Sequence, residues 1–181
     1  HAIKQYSGNA LYYKKRSFVY YKMGQYQKAI DDYYKTQILD FEHAENIFSD
    51  LQEATKMKAR SSDTYNFRGL VFLSIGEYEK AIKDFTKAIE LKPDFAIAHN
   101  NRGIAYRNLD QYKKAIDDSS YVVSLNSNLF SAYQNLGEVY QKIGQYQKAI
   151  DSYNKVIELE SKFAVVYLNR GQCYFKKIGR A

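Results

Sequence analysis

The chain has one cysteine, one proline, two methionines and no tryptophan among its 181 residues. A lone thiol makes no internal disulfide, so packing alone must hold the fold, and a cytoplasmic or other reducing compartment is expected. No apolar run approaches the roughly 18 residues of a membrane span, and no secretory leader is visible. His1 stands where a complete chain would carry methionine, which suggests a fragment. With proline so scarce and apolar residues recurring at helical rather than alternating spacing, no strand pattern competes, and an all-α chain is expected.

An excess of positive charge is present but not concentrated. The net charge of +7 suits an acidic partner or nucleic acid. The basic residues are scattered, however, and short clusters such as Lys14-Lys15-Arg16, Lys113-Lys114 and Lys176-Lys177 read as solvated helix faces. Nucleic acid is therefore a disfavoured partner.

What the chain does have is repetition. GQYQKAID stands at residues 24–31 and again at 144–151, with looser copies from Gly76 and Asp110. The tyrosines Tyr26, Tyr78, Tyr112 and Tyr146 fall 52, 34 and 34 residues apart, which is a period of 34 with 18 residues inserted after the first copy. Such a period marks a solenoid, in which each unit buries its apolar face against its neighbours. The register divides the chain into an N-terminal segment 1–9, repeats at 10–43, 62–95, 96–129 and 130–163, an insertion at 44–61, and the first helix of an incomplete repeat at 164–181.

Each full unit reads as two helices. On the first, Tyr65, Gly69 and Phe72 share a face, as do Tyr133, Gly137 and Tyr140. A glycine there costs about 1 kcal/mol against alanine, so close approach to the second helix must require it. Gly24, Gly76 and Gly144 end the first helices, with Asp110 taking that place once because it tolerates a left-handed backbone. Second helices carry Tyr-x-x-Ala-Ile, as in Tyr78, Ala81 and Ile82, and Leu39, Leu91, Leu125 and Leu159 are expected to close the apolar stripe. Pro93 stops one of them. Arg16, Arg68 and Arg102 are followed sixteen residues later by Asp32, Asp84 and Asp118, whereas Leu136 and Ser152 replace both partners in the next unit. A paired loss of this kind implies an ion pair between the helices of one unit; phosphate capture by an arginine ladder is the weaker reading. The insertion reads as a short helix capped by Ser49, and Ser61-Ser62-Asp63 as the start of the next regular helix.

These motifs, clearest in Tyr65-Asn-Phe-Arg-Gly69-Leu-Val-Phe72, Gly76-Glu-Tyr78, Ala81, Phe85, Ala88 and Pro93, resemble the tetratricopeptide repeat family. The resemblance covers 10–43 and 62–178. It implies a right-handed superhelix of antiparallel helix pairs that binds a peptide or protein segment along a concave face formed by the first helices. Ser119 departs from the family's large residue, and Phe41, Ser127 and Ser161 from its proline, so looser packing is expected there.

The concave columns carry the candidate site. In the first unit these are Lys14, Phe18, Tyr21 and Lys22, whose basic and aromatic character suits an acidic segment. Asn66, Asn101, Arg107 and Asn108 follow, then Asn135 and Lys142, and finally Asn169, Gln172 and Lys176. Asn101, Asn135 and Asn169 recur at the period, and a row of amides either bonds a ligand backbone or bonds neighbouring helices. Some family members grip the chaperone C-terminal carboxylate. Here the matching positions hold Asn66, Leu70, Asn101, Glu138 and Lys142, and Glu138 sets a negative charge where a cation is needed; taking the first three units instead, Phe18, Phe67 and Ile104 fill polar places. That version is disfavoured.

No phosphate loop or metal motif is present, no cofactor is implied, and His1, His43 and His99 lack ligand spacing. His99 and Cys173 fall in packing columns. The expectation is a non-catalytic interaction scaffold, with a structural subunit of a large assembly or an RNA-binding helical repeat as alternatives. The last helix, without a second helix over it, invites self-association or a partner.

Overall fold

The computed structural model describes residues 60–179 and, ahead of them, Tyr12, Tyr13, Arg16, Ser17, Val19, Tyr20, Met23, Lys28 and Asp32. The candidate residues Lys14, Phe18, Tyr21 and Lys22, Leu39, and the proposed helix of the insertion lie outside the described residues.

Seven helices follow one another: α1 (Ser62–Ser74), α2 (Tyr78–Leu91), α3 (Ala96–Asn108), α4 (Tyr112–Leu125), α5 (Phe130–Lys142), α6 (Tyr146–Leu159) and α7 (Ala164–Ile178). No strand occurs among the described residues. The first is started by Ser61, whose hydroxyl accepts from the Thr64 N–H at 3.2 Å while the Ser61 N–H donates to the Thr64 hydroxyl at 2.9 Å, a reciprocal cap. The turns into α2, α4 and α6 pass through left-handed backbone at Gly76 (φ 78°), Asp110 (φ 56°) and Gly144 (φ 75°).

Each helix packs on the next, and α1, α3, α5 and α7 also touch in series, whereas α2, α4 and α6 do not touch one another. The odd tier is therefore closely spaced and the even tier splayed, which bends the array with the odd helices on its inner side. The same splaying explains a difference from the sequence expectation. Leu91, Leu125 and Leu159 remain 56%, 42% and 38% exposed, and the buried stripe ends three residues earlier at Ala88, Val122 and Val156. No even neighbour reaches the leucines.

Helix pairing rests on small residues in α1, α3 and α5. A Cβ on Gly69 would sit 2.7 Å from the Phe85 ring, and one on Gly137 2.5 Å from the Tyr153 ring. In the middle unit Ser119 occupies the place of those rings, yet no loose packing results. The Asn135 amide from the following unit enters the space, donating to the Ser119 hydroxyl at 2.6 Å, and a Cβ on Gly103 would meet that amide at 3.0 Å. Where Ser127 and Ser161 stand in place of proline, α4 and α6 still end in register with α2. The Asn126 and Glu160 carboxamide and carboxylate oxygens accept from the Asn128 and Lys162 N–H groups at 3.0 and 3.3 Å, a side-chain turn doing what Pro93 does at the end of α2.

The expected ion pairs are present. The guanidinium groups of Arg16, Arg68 and Arg102 donate through Nε and Nη2 to both carboxylate oxygens of Asp32, Asp84 and Asp118, at 2.5–2.8 Å. The aspartates are nearly buried, at 2%, 4% and 6% exposure. These forks tie odd helix to even helix within a unit and leave little room for a phosphate. Asp118 also faces His99 Nδ1 at 3.1 Å, while His99 Nε2 lies 3.0 Å from the Pro93 carbonyl and the imidazole packs on Tyr121. Burial alone would raise the Asp118 carboxyl; hydrogen bonds from Arg102 and His99 outweigh it and hold the group below the ordinary carboxylate value. A carboxyl lowered in the fold contributes stability above its unfolded pKa of about 4, and that contribution is lost as pH falls through the lowered value. Urea midpoints measured from about pH 5 down to about pH 3 are therefore expected to fall more steeply for the parent than for Asp118→Asn.

A second row was not anticipated. Lysines of the even helices sit over aromatic rings of the odd ones at the repeat period, Lys80 over Phe72 at 5.8 Å, Lys114 over Tyr106 at 5.2 Å and Lys148 over Tyr140 at 5.4 Å, and in the first unit Lys28 sits over Tyr20 at 5.6 Å. Four of the twenty lysines thus pack against the helix pairs.

Candidate binding groove

The asparagine row divides once the helices are packed. Asn66, Asn101 and Asn135 are buried at 0%, 1% and 2% exposure, and their amides join helix to helix. Asn101 donates to Asn66 Oδ1 at 3.2 Å, linking α3 to α1, and Asn135 links α5 to α4 through Ser119. Of the two readings of this row, these contacts describe the one in which the amides hold neighbouring helices together. Asn169, on α7, is half-buried instead.

The remaining described candidates converge. Arg107 and Asn108 at the end of α3, Lys142 at the end of α5, and Asn169, Gln172 and Lys176 on α7 line one open groove of about 960 Å³. Glu138, Gln141, Tyr146, Gly171 and Phe175 complete it. They come together because all six odd-helix positions face inward in an array whose odd helices touch in series. Gln141, Tyr146 and Phe175 were not among the candidates. Gln141 and Phe175 sit beside inward columns, and Tyr146 belongs to the even helix α6, so only the packing of α6 against α5 and α7 brings it to the rim.

The floor of the groove is a polar network. Arg107 bonds Glu138 directly and donates to Asn135 Oδ1 at 2.8 Å, so its cation is already occupied. Glu138 also accepts from Gln134 at 2.9 Å. The buried Tyr153 hydroxyl donates to Gln141 Oε1 at 2.7 Å, and Gln141 in turn donates to Gln172 at 3.2 Å. Burial foremost, with the Glu138 charge beside it, pushes the Tyr153 phenol up, which keeps it a neutral donor. Cys173, on the buried side of α7, is fully buried, and burial pushes its thiol up as well, so it offers no thiolate.

Above this floor the walls differ. Lys142 and Lys176 are exposed and, among the described residues, have no ion-pair or hydrogen-bond partner, while Phe175 is 79% exposed. Asn108 spends one amide proton on the Ile104 carbonyl of its own helix. The groove can therefore offer two ammonium groups, amides and an aromatic face to a ligand. Among the described residues no helix is long and apolar enough to cross a membrane, and no cluster of three metal-binding side chains forms.

Residues 69–110 match the family model described as TPR repeat, and residues 130–163 match the one described as tetratricopeptide repeat. No curated protein matches the chain. Among solved structures it is similar to the MamA protein, at 26% identity and a TM-score of 0.62 over 93% of this chain and 82% of that one. It is also similar to the Sgt2 TPR domain from Aspergillus fumigatus, at 25% identity and a TM-score of 0.62 over 66% of this chain and 82% of that one. The first TPR of Spaghetti (RPAP3), solved bound to the HSP90 peptide SRMEEVD, shares the fold at 24% identity and a TM-score of 0.62 over 63% of this chain and 90% of that one.

Proposed function

Since this chain carries tetratricopeptide repeats, we propose that it is a non-catalytic scaffold that holds an extended segment of another protein along the inner face of α3, α5 and α7. The observation that carries this reading is the groove itself. Asn108, Lys142 and Lys176 are exposed around it and serve no bond between helices, with Gln172 exposed beside them and bonded only to Gln141 of the groove floor, whereas the buried Asn66, Asn101 and Asn135 join helix to helix. Side chains that the fold does not use, gathered on one concave surface, are what a recognition face requires. At the basic first unit, Lys14, Phe18, Tyr21 and Lys22 extend the same reading toward an acidic segment.

The segment is not of the chaperone carboxylate type. Asn66 and Asn101 are buried at 0% and 1% exposure and bonded to each other, Leu70 is 4% exposed, and Glu138 stands in the groove as a competing anion. A second reading, a subunit of a larger assembly or of a self-associated one, draws on α7, where Leu168 and Ile178 are 61% and 74% exposed.

The test is affinity capture with the parent chain beside an Asn108→Ala, Gln172→Ala, Phe175→Ala variant, three exposed positions whose truncation leaves helicity unchanged. A partner held by the parent and lost from the variant is the expected result. The same partner on both would remove the groove from consideration and direct attention to the outer face of α7.

A further inference from the structure

We infer that the α5–α7 end of the groove selects a segment carrying carboxylates around an apolar side chain, and that Glu138 bars acidic residues from the α3 side. This rests on the groove being a peptide site, as proposed above, and deepens it by assigning the chemistry of the partner.

The groove holds more positive charge than its own anion balances. Three cations line the groove, Arg107, Lys142 and Lys176, against one anion, Glu138. Arg107 and Glu138 neutralise each other, with Asn135 and Gln134 completing their bonds. What is left over is Lys142 and Lys176, both exposed, with Phe175 beside Lys176 in sequence and almost fully in solvent. Both lysines lie in the last turn of their helices, where a cation complements the helix end. That role asks nothing about direction, and it does not account for the two facing one groove with an aromatic side chain in the same wall. A carboxylate is the counter-charge that fits them, and an aliphatic or aromatic residue covers Phe175.

On the α3 side the sign reverses. A carboxylate approaching Arg107 must displace Glu138 from it, or stand beside that anion, and either is unfavourable. The groove therefore reads polarity along the segment: acidic residues over α5 and α7, uncharged or donor groups over α3.

Selection from a random dodecapeptide library against the full chain tests this, run in parallel on the Lys142→Glu/Lys176→Glu and Glu138→Gln variants and on the Asn108, Gln172, Phe175 triple alanine variant. The expected outcome has four parts. Peptides selected by the parent are enriched in Asp and Glu flanking an apolar residue. Their affinity falls about tenfold or more in the double charge reversal. That reversal selects basic peptides instead. Glu138→Gln accepts acidic residues over a longer stretch. Peptides that bind the parent and are lost from the triple alanine variant, yet show no acidic enrichment or no response to the charge reversal, overturn this inference and leave the groove as a peptide site. Peptides indifferent to all three variants, or no selected peptide at all, overturn the groove reading and this inference together.

Discussion

Replacing Asp84 by serine is expected to lower the stability of the fold by roughly 3 kcal/mol, and adding Arg68→Leu to recover most of that loss. Asp84 is 4% exposed and takes both hydrogen bonds of a guanidinium fork at 2.5 and 2.7 Å. Removing the carboxylate alone takes the counter-charge from the half-buried Arg68 guanidinium between α1 and α2, and breaking one side of such a pair costs more than removing both. Removing both charges eliminates the uncompensated cation, and leucine takes the place of the arginine's apolar stem. The chain already contains this solution two units away, where Leu136 and Ser152 occupy the corresponding places and both are buried. Urea denaturation of the parent and the single and double variants measures the recovery. If Asp84→Ser proves as stable as the parent, the forks are not what joins the helices of a unit.

An alanine scan of the glycine column is expected to change sign between neighbouring units. Gly137→Ala places a methyl 2.5 Å from the ring of Tyr153, which is fully buried and hydrogen-bonded and has nowhere to go. Overpacking of this kind costs about 1–3 kcal/mol beyond the roughly 1 kcal/mol that alanine gains in helix propensity. Gly171 occupies the same register on α7, yet a Cβ there meets nothing within 4 Å. Gly171→Ala is therefore expected to stabilise by about 0.5–1 kcal/mol. Thermal unfolding of the two variants in parallel measures both signs at once. The second also probes the glycine face of α7, at the edge of the groove: should a helix of a second copy pack there in solution, Gly171→Ala would destabilise, and the effect would depend on protein concentration.

The residues that were legible in the sequence are those whose role repeats. Arg16, Arg68 and Arg102 pair with aspartates sixteen positions on, because the turn between an odd helix and its even partner has a constant length, so one register serves every unit. Asp110 could be assigned a left-handed backbone from its alignment with Gly76 and Gly144. The exceptions were harder to read. Ser119 looks like a hole when its unit is considered alone, but the filler, Asn135, comes from the next helix and occupies the same column as a candidate ligand-binding amide. A concave column and an inter-helix column differ by a modest rotation about the helix axis, and Asn101, Asn135 and Asn169 share one sequence position while only Asn169 is left half-buried in the groove.

Periodicity by itself determined the all-helical repeat, the pairing of helices and the ions that fasten them, since each follows from contacts within one 34-residue unit. The groove was decided by tertiary structure. Its parts come from α3, α5, α6 and α7, and the neutralisation of Arg107 by Glu138 joins residues in different units. Whether a given lysine is spent or left over depends on which side chains the curvature of the array brings opposite it, and that curvature arises from the odd helices touching in series while the even helices stand apart.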